Sequence, residues 1–495
     1  MQKILLFAVF LLNSVLLFAQ SNNPANGTQP EKWCGTTDLS TAKLRELRPT
    51  PPKPYKGAGP TLYIPMTLHI VGNDNGSGYY PLRNAYDAFC QLQTDYAPAD
   101  MVFYLVDTIR YHQNTVYNNH QDFTVGGDMV ADYSQPGTLN CFITEVAAGA
   151  CAYAWYGGAI VLKKSCTTRP NHTWAHEAGH YFSLPHVFVG WEGQSVNAAQ
   201  PAPAVTNDGT EVELADSSNC TTAGDLFCDT PADYISKRWS CDANHNSQTL
   251  IDPTGAPFKA SGEYYMSYSS DACMSRFSPQ QITAMRDYAQ TTLNTITHLT
   301  APPDQPLLPT SLVSPADSLV TRYDSLTFRW NSDPHATKYI LEVSRLSSFV
   351  NTVVMQVTTD TSFTAINLLQ NKHYFWRVHP INARYMCTPV TNGTFFTQLA
   401  PVATQNNPVF TGQLSVIPTQ IQRGQTVAVE WQNIDSETAK LQVFSINGQL
   451  LSEKTVYPTI QQTTDLATTA LSTGVFIVNL QTERGNVQQK LVISE

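Results

Sequence analysis

The sequence predicts a multi-domain chain in which an α/β domain is followed by two β-sandwich domains. Three observations lead there. The 495 residues allow two to four domains. Between residues 61 and 298, strand-like alternation in "TLYIPMTLHIV" gives way to helical spacing in "NAYDAFCQLQTDY", where Tyr86, Phe89, Cys90 and Leu92 recur. Beyond the proline-rich "HLTAPPDQPLLPT", residues 298–310, the helical spacing vanishes and short alternating strands take over.

The chain opens with "MQKILLFAVFLLNSVLLFAQ", residues 1–20, which has a lysine, an apolar run and a small residue near its end. This is the layout of a cleavable secretory signal, cut after Ala19 or Gln20. Asn13 and Ser14 break the run and no basic stop follows, so no transmembrane segment is expected in the mature protein. Residues 21–60 are polar and proline-rich and read as an extended pro-segment or linker, not a packed domain. The formal charge of -10 argues against nucleic acid as a partner, because phosphate binding needs a basic surface. Export permits disulfides, and ten cysteines are present. Eight lie between Cys90 and Cys273 and read as an even, bridged set whose partners spacing cannot assign; Cys34 and Cys387 stand apart.

In residues 310–400, "SLTFRWNS", "KYILEVSRL" and "YFWRVHPIN" alternate as strands. Leu326, Phe328 and Trp330 form one inward row, Tyr339, Leu341 and Val343 a second, and Tyr374, Trp376 and Val378 a third. With its tryptophan and tyrosine on successive strands, this segment resembles a fibronectin type III domain. A second linker, "LAPVATQNNPVFTG", leads to residues 413–495, where "LQVFSINGQLL" reads as a hairpin around Asn447-Gly448. The order "VFSINGQLL", "LSTGVFIVNL" and terminal "QQKLVISE" resembles the C-terminal sorting domain of the type IX secretion system. "IPTQ", residues 417–420, departs from that family's usual start. The resemblance implies the type IX machinery as a partner. It also implies passage through the periplasm and outer membrane of a Bacteroidetes-type bacterium, to the cell surface or beyond.

"HEAGHYFSLPH", residues 176–186, carries the chemistry. His176 and His180 are four apart, so on a helix they share a face with Cβ atoms about 5–6 Å apart and can bind one zinc ion. Glu177 is placed to take a proton from a metal-bound water, whose pKa zinc lowers to roughly 7. His186 is the third candidate ligand. On a straight helix it would lie about 280° around the axis from His176 and miss the metal. The helix must therefore end near Phe182 and turn sharply. Ser183 stands where glycine commonly allows such a turn, at a penalty of about 1 kcal/mol, and Pro185 independently forbids continuation.

HExxHxx(G)xxH resembles the metzincin metallopeptidases. "EYYMSYSSDACMSRFSPQQITAMR", residues 263–286, resembles the Met-turn and following helix of their pappalysin family. This resemblance implies a metzincin fold for residues 61–298 and a zinc endopeptidase activity on proteins or peptides. It makes Met266 the floor beneath the zinc and Tyr268 a stabiliser of the oxyanion. "GDLFCDTPAD", residues 224–233, is similar to a calcium-associated pappalysin segment, which implies Asp225, Asp229 and Thr230 as oxygen ligands; an ordinary polar turn is the other reading. Asp271 matches an acid lining the primed-side pocket of some members, implying Arg or Lys after the scissile bond; a surface aspartate is the alternative. "KWCGTTD", residues 32–38, resembles the stretch by which some metzincin zymogens place a thiolate on the zinc, making Cys34 a latch. The competing use of Cys34 is a bridge to Cys387 or to another chain. Two other functions compete with the peptidase reading: a surface adhesin or polymer-binding protein on a decayed peptidase scaffold, and a zinc hydrolase of non-peptide substrates.

Overall fold

The computed structural model describes residues 32–39, 41–106, 109–349, 351–398, 412–434, 436–459, 461–483 and 485–494. The expected signal peptide and nearly all of the second linker lie outside them. In chain order the first domain contains β1 (Lys32–Cys34), α1 (Thr41–Leu47), β2 (Leu62–Gly72), α2 (Leu82–Tyr96), β3 (Met101–Leu105) and β4 (Arg110–Gln113). There follow α3 (Thr115–Asn118), β5 (Asn119–His120), α4 (Phe123–Tyr133), β6 (Leu139–Thr144), β7 (Val146–Ala147), β8 (Ala150–Ala154) and β9 (Ala159–Lys163). The domain closes with α5 (Thr173–Tyr181), β10 (Asn246–Ile251), β11 (Pro257–Ser261) and α6 (Pro279–Thr291).

Nine strands form one sheet in the order β3-β2-β6-β9-β8-β7-β5, with β4 also on β2 and β1 on β8. β2 is the near-continuous apolar run that a strand covered on both faces requires, and all eleven of its residues are buried. β2, β3, β6 and β9 are parallel, whereas β8 runs antiparallel to β9 and offers its far edge to β1. α2 buries Ala85, Ala88, Phe89, Cys90 and Leu92, close to the face that its spacing predicts.

Residues 32–39 and 41–60, expected as an extended pro-segment or linker, are more ordered than that. β1 joins the sheet, Leu44 of α1 is fully buried against Val189 and Leu226, and the chain then crosses α6. That crossing is held by the Tyr55 amide on the Pro279 carbonyl (3.0 Å) and the Thr283 hydroxyl on the Lys53 carbonyl (2.7 Å). Among the described residues of this segment no independent core forms; it borrows the core of the first domain.

The expected grouping of the cysteines is corrected. Cys151–Cys166, Cys220–Cys228 and Cys241–Cys273 are bridged, but Cys90 pairs with Cys387, leaving Cys34 and Cys141 free and buried. The Cys90–Cys387 bond joins the first domain to the sandwich. Beside it the buried Glu342 accepts hydrogen bonds from Arg83 (3.0 Å) and Arg377 (2.6 Å), and its carboxylate stands 2.8 Å from His379 Nε2.

The sandwich strands run from Leu312 to Gln398 in a three-stranded and a five-stranded sheet. Leu326, Phe328, Trp330, Tyr339, Leu341, Val343, Tyr374, Trp376 and Val378 all lie in its core. The last domain repeats this plan between Gln413 and Ser494 around its own core. Gly448, at φ +80°, makes the turn between Ala439–Ser445 and Leu450–Val456.

Candidate metal centre

α5 lies beneath the sheet with all nine residues buried, so its histidines are held by packing on every side. It ends as the motif requires. The Leu184 amide bonds back to the Gly179 carbonyl at 2.9 Å, and Ser183 adopts φ +76°, the left-handed conformation otherwise suited to glycine. The chain reverses there and brings His186 back to the helix. His180 Nε2 is 3.2 Å from His176 Nε2 and 3.2 Å from His186 Nε2.

Each ring is oriented through its other nitrogen. His176 Nδ1 donates to the Tyr265 carbonyl (2.6 Å), His180 Nδ1 to the Leu184 carbonyl (2.8 Å) and His186 Nδ1 to Asp38 Oδ2 (2.8 Å). This places the protons on Nδ1 and aims three Nε2 lone pairs at one point. Burial, reinforced by the neighbouring imidazoles, pushes His176 and His180 well below the ordinary histidine range, so both stay neutral. Ligand nitrogens around a tetrahedral zinc ion stand about 3.3 Å apart. The donor set fits zinc.

Glu177 lies in the same buried pocket. Its Oε2 accepts the Thr36 hydroxyl at 2.9 Å, while Oε1 has no hydrogen-bond partner. Burial lifts its carboxyl to about 8, with hydrogen bonds from Cys34 and Thr36 pulling the other way. Met266 is fully buried beneath α5, and a Cβ on Gly179 would meet its Sδ at 2.4 Å. Tyr268 donates to the Cys34 carbonyl at 3.4 Å and stands edge-on to His186.

Residues 33–38 cover the histidines and Glu177. Cys34 Sγ is 3.6 Å from His180 Nε2 and groups with His176, His180 and His186 as a four-donor set. Trp33 packs on His176 with ring centroids 4.4 Å apart and lies under the Arg238 guanidinium at 4.3 Å. Asp38 accepts from both the backbone amide and Nδ1 of His186, and Glu192 lies beside it. Asp271 faces Arg238 Nη2 at 2.6 Å and the His172 amide at 2.8 Å, so its charge is already met within the chain.

Most oxygens of the three expected calcium ligands are already engaged, although Asp229 Oδ1 is buried with no hydrogen-bond partner. The Thr230 hydroxyl donates to Asp225 at 3.0 Å, and Asp229 Oδ2 accepts the Gln280 amide at 2.8 Å. The buried guanidinium of Arg48, from the pro-segment, lies near Asp225 and over the Phe227 ring. As arranged, these residues do not fit a calcium ion, because Arg48 supplies the positive charge there.

Trp33, Thr36, Asp38, Gly179, Glu192 and Arg238 were not singled out by sequence reasoning. Thr36 and Asp38 lie inside the stretch that pointed to Cys34, and Gly179 lies inside the histidine motif. Glu192 and Arg238 sit in loops with no motif spacing at all.

Comparison with known proteins gives sequence relatives for two parts of the chain. Residues 424–494 match the secretion system C-terminal sorting domain. An extracellular metalloprotease of Colletotrichum graminicola is 26% identical over 256 residues, which is 47% of this chain and 77% of the relative. Another, from Podospora anserina, is 26% identical over 46% of this chain and 72% of its own length. Among solved structures, the chicken CNTN1 FN1-FN3 domains align over 38% of this chain and 66% of theirs, at 12% identity and TM-score 0.16. A fibronectin type III domain of human fibronectin type III domain containing protein 3 aligns over 21% of this chain and 98% of its own, at 21% identity and TM-score 0.16. Scores this low carry no argument, and the sandwich stands on its own strands and core. The sequence matches support a secreted metalloprotease.

Proposed function

We propose that this chain is a secreted zinc endopeptidase of the pappalysin type within the metzincins, made as a zymogen. Its C-terminal domain would route it through the type IX machinery of a Bacteroidetes-type bacterium. The observation that carries the reading is the convergence of His176, His180 and His186 Nε2, at 3.2 Å, beside the buried Glu177. Zinc, when bound, supplies a Lewis acid and a water of lowered pKa. Glu177 takes the proton of the attacking water and returns it to the leaving amine. Tyr268, whose hydroxyl now meets the Cys34 carbonyl, is placed to donate to a substrate carbonyl oxygen as charge develops on it.

Latency follows from the pro-segment contacts. Cys34 stands at the histidine cluster, Thr36 occupies Glu177, and β1 covers the edge of β8. For Arg or Lys to be preferred after the scissile bond, a substrate cation must displace Arg238 from Asp271. Arg238 loses its stacking partner Trp33 when the pro-segment leaves, which favours that displacement. Calcium at Asp225, Asp229 and Thr230 likewise requires Arg48 to depart.

The test incubates the chain with a peptide library before and after cleavage of the pro-segment, mapping cut sites with and without a chelator. Chelator-sensitive cutting that appears on cleavage is expected, and Glu177→Ala should lower it by about 10²–10⁴-fold. Full activity in Glu177→Ala would overturn the reading. Less than stoichiometric zinc in the wild-type chain would favour the adhesin reading instead.

A further inference from the structure

Of the three imidazoles, two are oriented by acceptors that belong to the peptidase domain itself, the Tyr265 and Leu184 carbonyls. His186 is different. Its Nδ1 acceptor is Asp38, which lies in the very segment whose removal would activate the enzyme. When Asp38 leaves, a buried N–H loses its partner, and the tautomer that aims Nε2 at the metal needs another acceptor to hold it.

A second acceptor is already in place. Glu192 Oε2 is held by the Gly190 amide at 2.9 Å. Glu192 Oε1 is buried beside the Asp38 carboxylate, accepts no N–H within normal hydrogen-bond distance and stands 3.6 Å from the same His186 Nδ1. The turn that delivers it is fixed by Gly190, which has φ +87° and whose Cβ, if present, would lie 2.6 Å from the Thr210 side chain. Two carboxylates therefore face one N–H, and in the latent chain Asp38 holds it while Glu192 waits less than an ångström beyond bonding distance.

We propose that Glu192 replaces Asp38 as the acceptor of His186 Nδ1–H when the pro-segment departs, which makes Glu192 the positioning residue of the third metal ligand in the mature enzyme. This rests on the zinc-peptidase reading given above. The pro-segment then plays two parts: it blocks the cleft, and it supplies a temporary acceptor that keeps the metal site formed during export.

The test is a double-mutant cycle on the full chain, read as the zinc dissociation constant by competition with a chromogenic chelator. Asp38→Ala and Glu192→Ala alone should each weaken zinc by less than about 3-fold, because the other carboxylate answers the N–H, whereas the double variant should lose about 10–100-fold. Asp38→Ala with Glu192→Gln retains an acceptor oxygen, and should stay within about 3-fold of Asp38→Ala. It should also keep the slowly exchanging His186 Nδ1–H proton resonance, which the double alanine variant should lose. Additive losses, a double variant no worse than the singles, or full loss in Asp38→Ala alone would overturn the proposal. A wild-type chain that holds no zinc would overturn the zinc-peptidase reading first, and this inference with it.

Discussion

Ser183 sits at φ +76° at the end of the zinc helix, a conformation disfavoured for any residue with a Cβ, and the surrounding packing holds it there. Ser183→Gly should raise stability by up to about 1 kcal/mol in urea unfolding without moving the three histidines, because the strain it relieves outweighs the one small buried side chain it removes. Four residues earlier the opposite applies. Gly179 leaves room for Met266 Sδ, so Gly179→Ala should cost about 1–3 kcal/mol and disturb the floor of the site, read by the same denaturation curve. The convergence of His176, His180 and His186 was legible because a helix and one turn bring them together by spacing alone. The need for Gly179 was not, since it arises from contact with a residue 87 positions away. Asp38 and Glu192 were hidden for the same reason: acceptors of a ring N–H carry no spacing signal of their own.

Residues 32–47 show what secondary-structure pattern misses. β1 has three residues and α1 seven, too few for periodicity to register and too few to be stable in isolation. Both exist because the domain offers them an edge and a pocket: Cys34 pairs in register with Ala152 on β8, and Leu44 fills a buried site. If residues 32–56 hold the chain latent, as proposed, that latency is shared among elements. Cys34→Ala should therefore leave the full chain largely inactive, because Thr36 still engages Glu177 and the β1–β8 ladder persists. Adding Thr36→Val should raise kcat/KM by roughly 10-fold or more, the worth of one hydrogen bond to a charged group. If Cys34→Ala alone gave the activity of pro-segment-free enzyme, the thiol would be the whole latch and the other contacts incidental.

The assembled chain adds constraints that neither motif nor element carries. Cys387 looked isolated in sequence, yet it anchors the sandwich to α2 through Cys90, because disulfide pairing follows tertiary proximity and not the grouping of cysteines along the chain. The same tertiary packing collects acids where no pattern predicts them. Glu213, Asp225 and Asp233 are buried within one neighbourhood, and burial holds all three above the usual carboxyl range, with mutual repulsion adding to Glu213. Asp233 reaches about 7 by burial, against hydrogen bonds from Ile235, Ser267 and its own surroundings that pull it down. A carboxyl raised in the folded state binds more protons there than in the unfolded chain. Its contribution is therefore greatest at low pH and is lost as pH rises from the unfolded value near 4 through about 7. Asp233→Asn cannot ionise, so its stability relative to wild type should improve by on the order of 2 kcal/mol between pH 5 and pH 7 and then level off. Because the measurement is a difference between two chains, titration of groups that Asp233 does not touch cancels, whereas relief of its repulsion on Glu213 remains part of the difference. A difference independent of pH in chemical unfolding would mean that Asp233 is already ionised in the folded protein, and that a cation balances the cluster even with Arg48 in place.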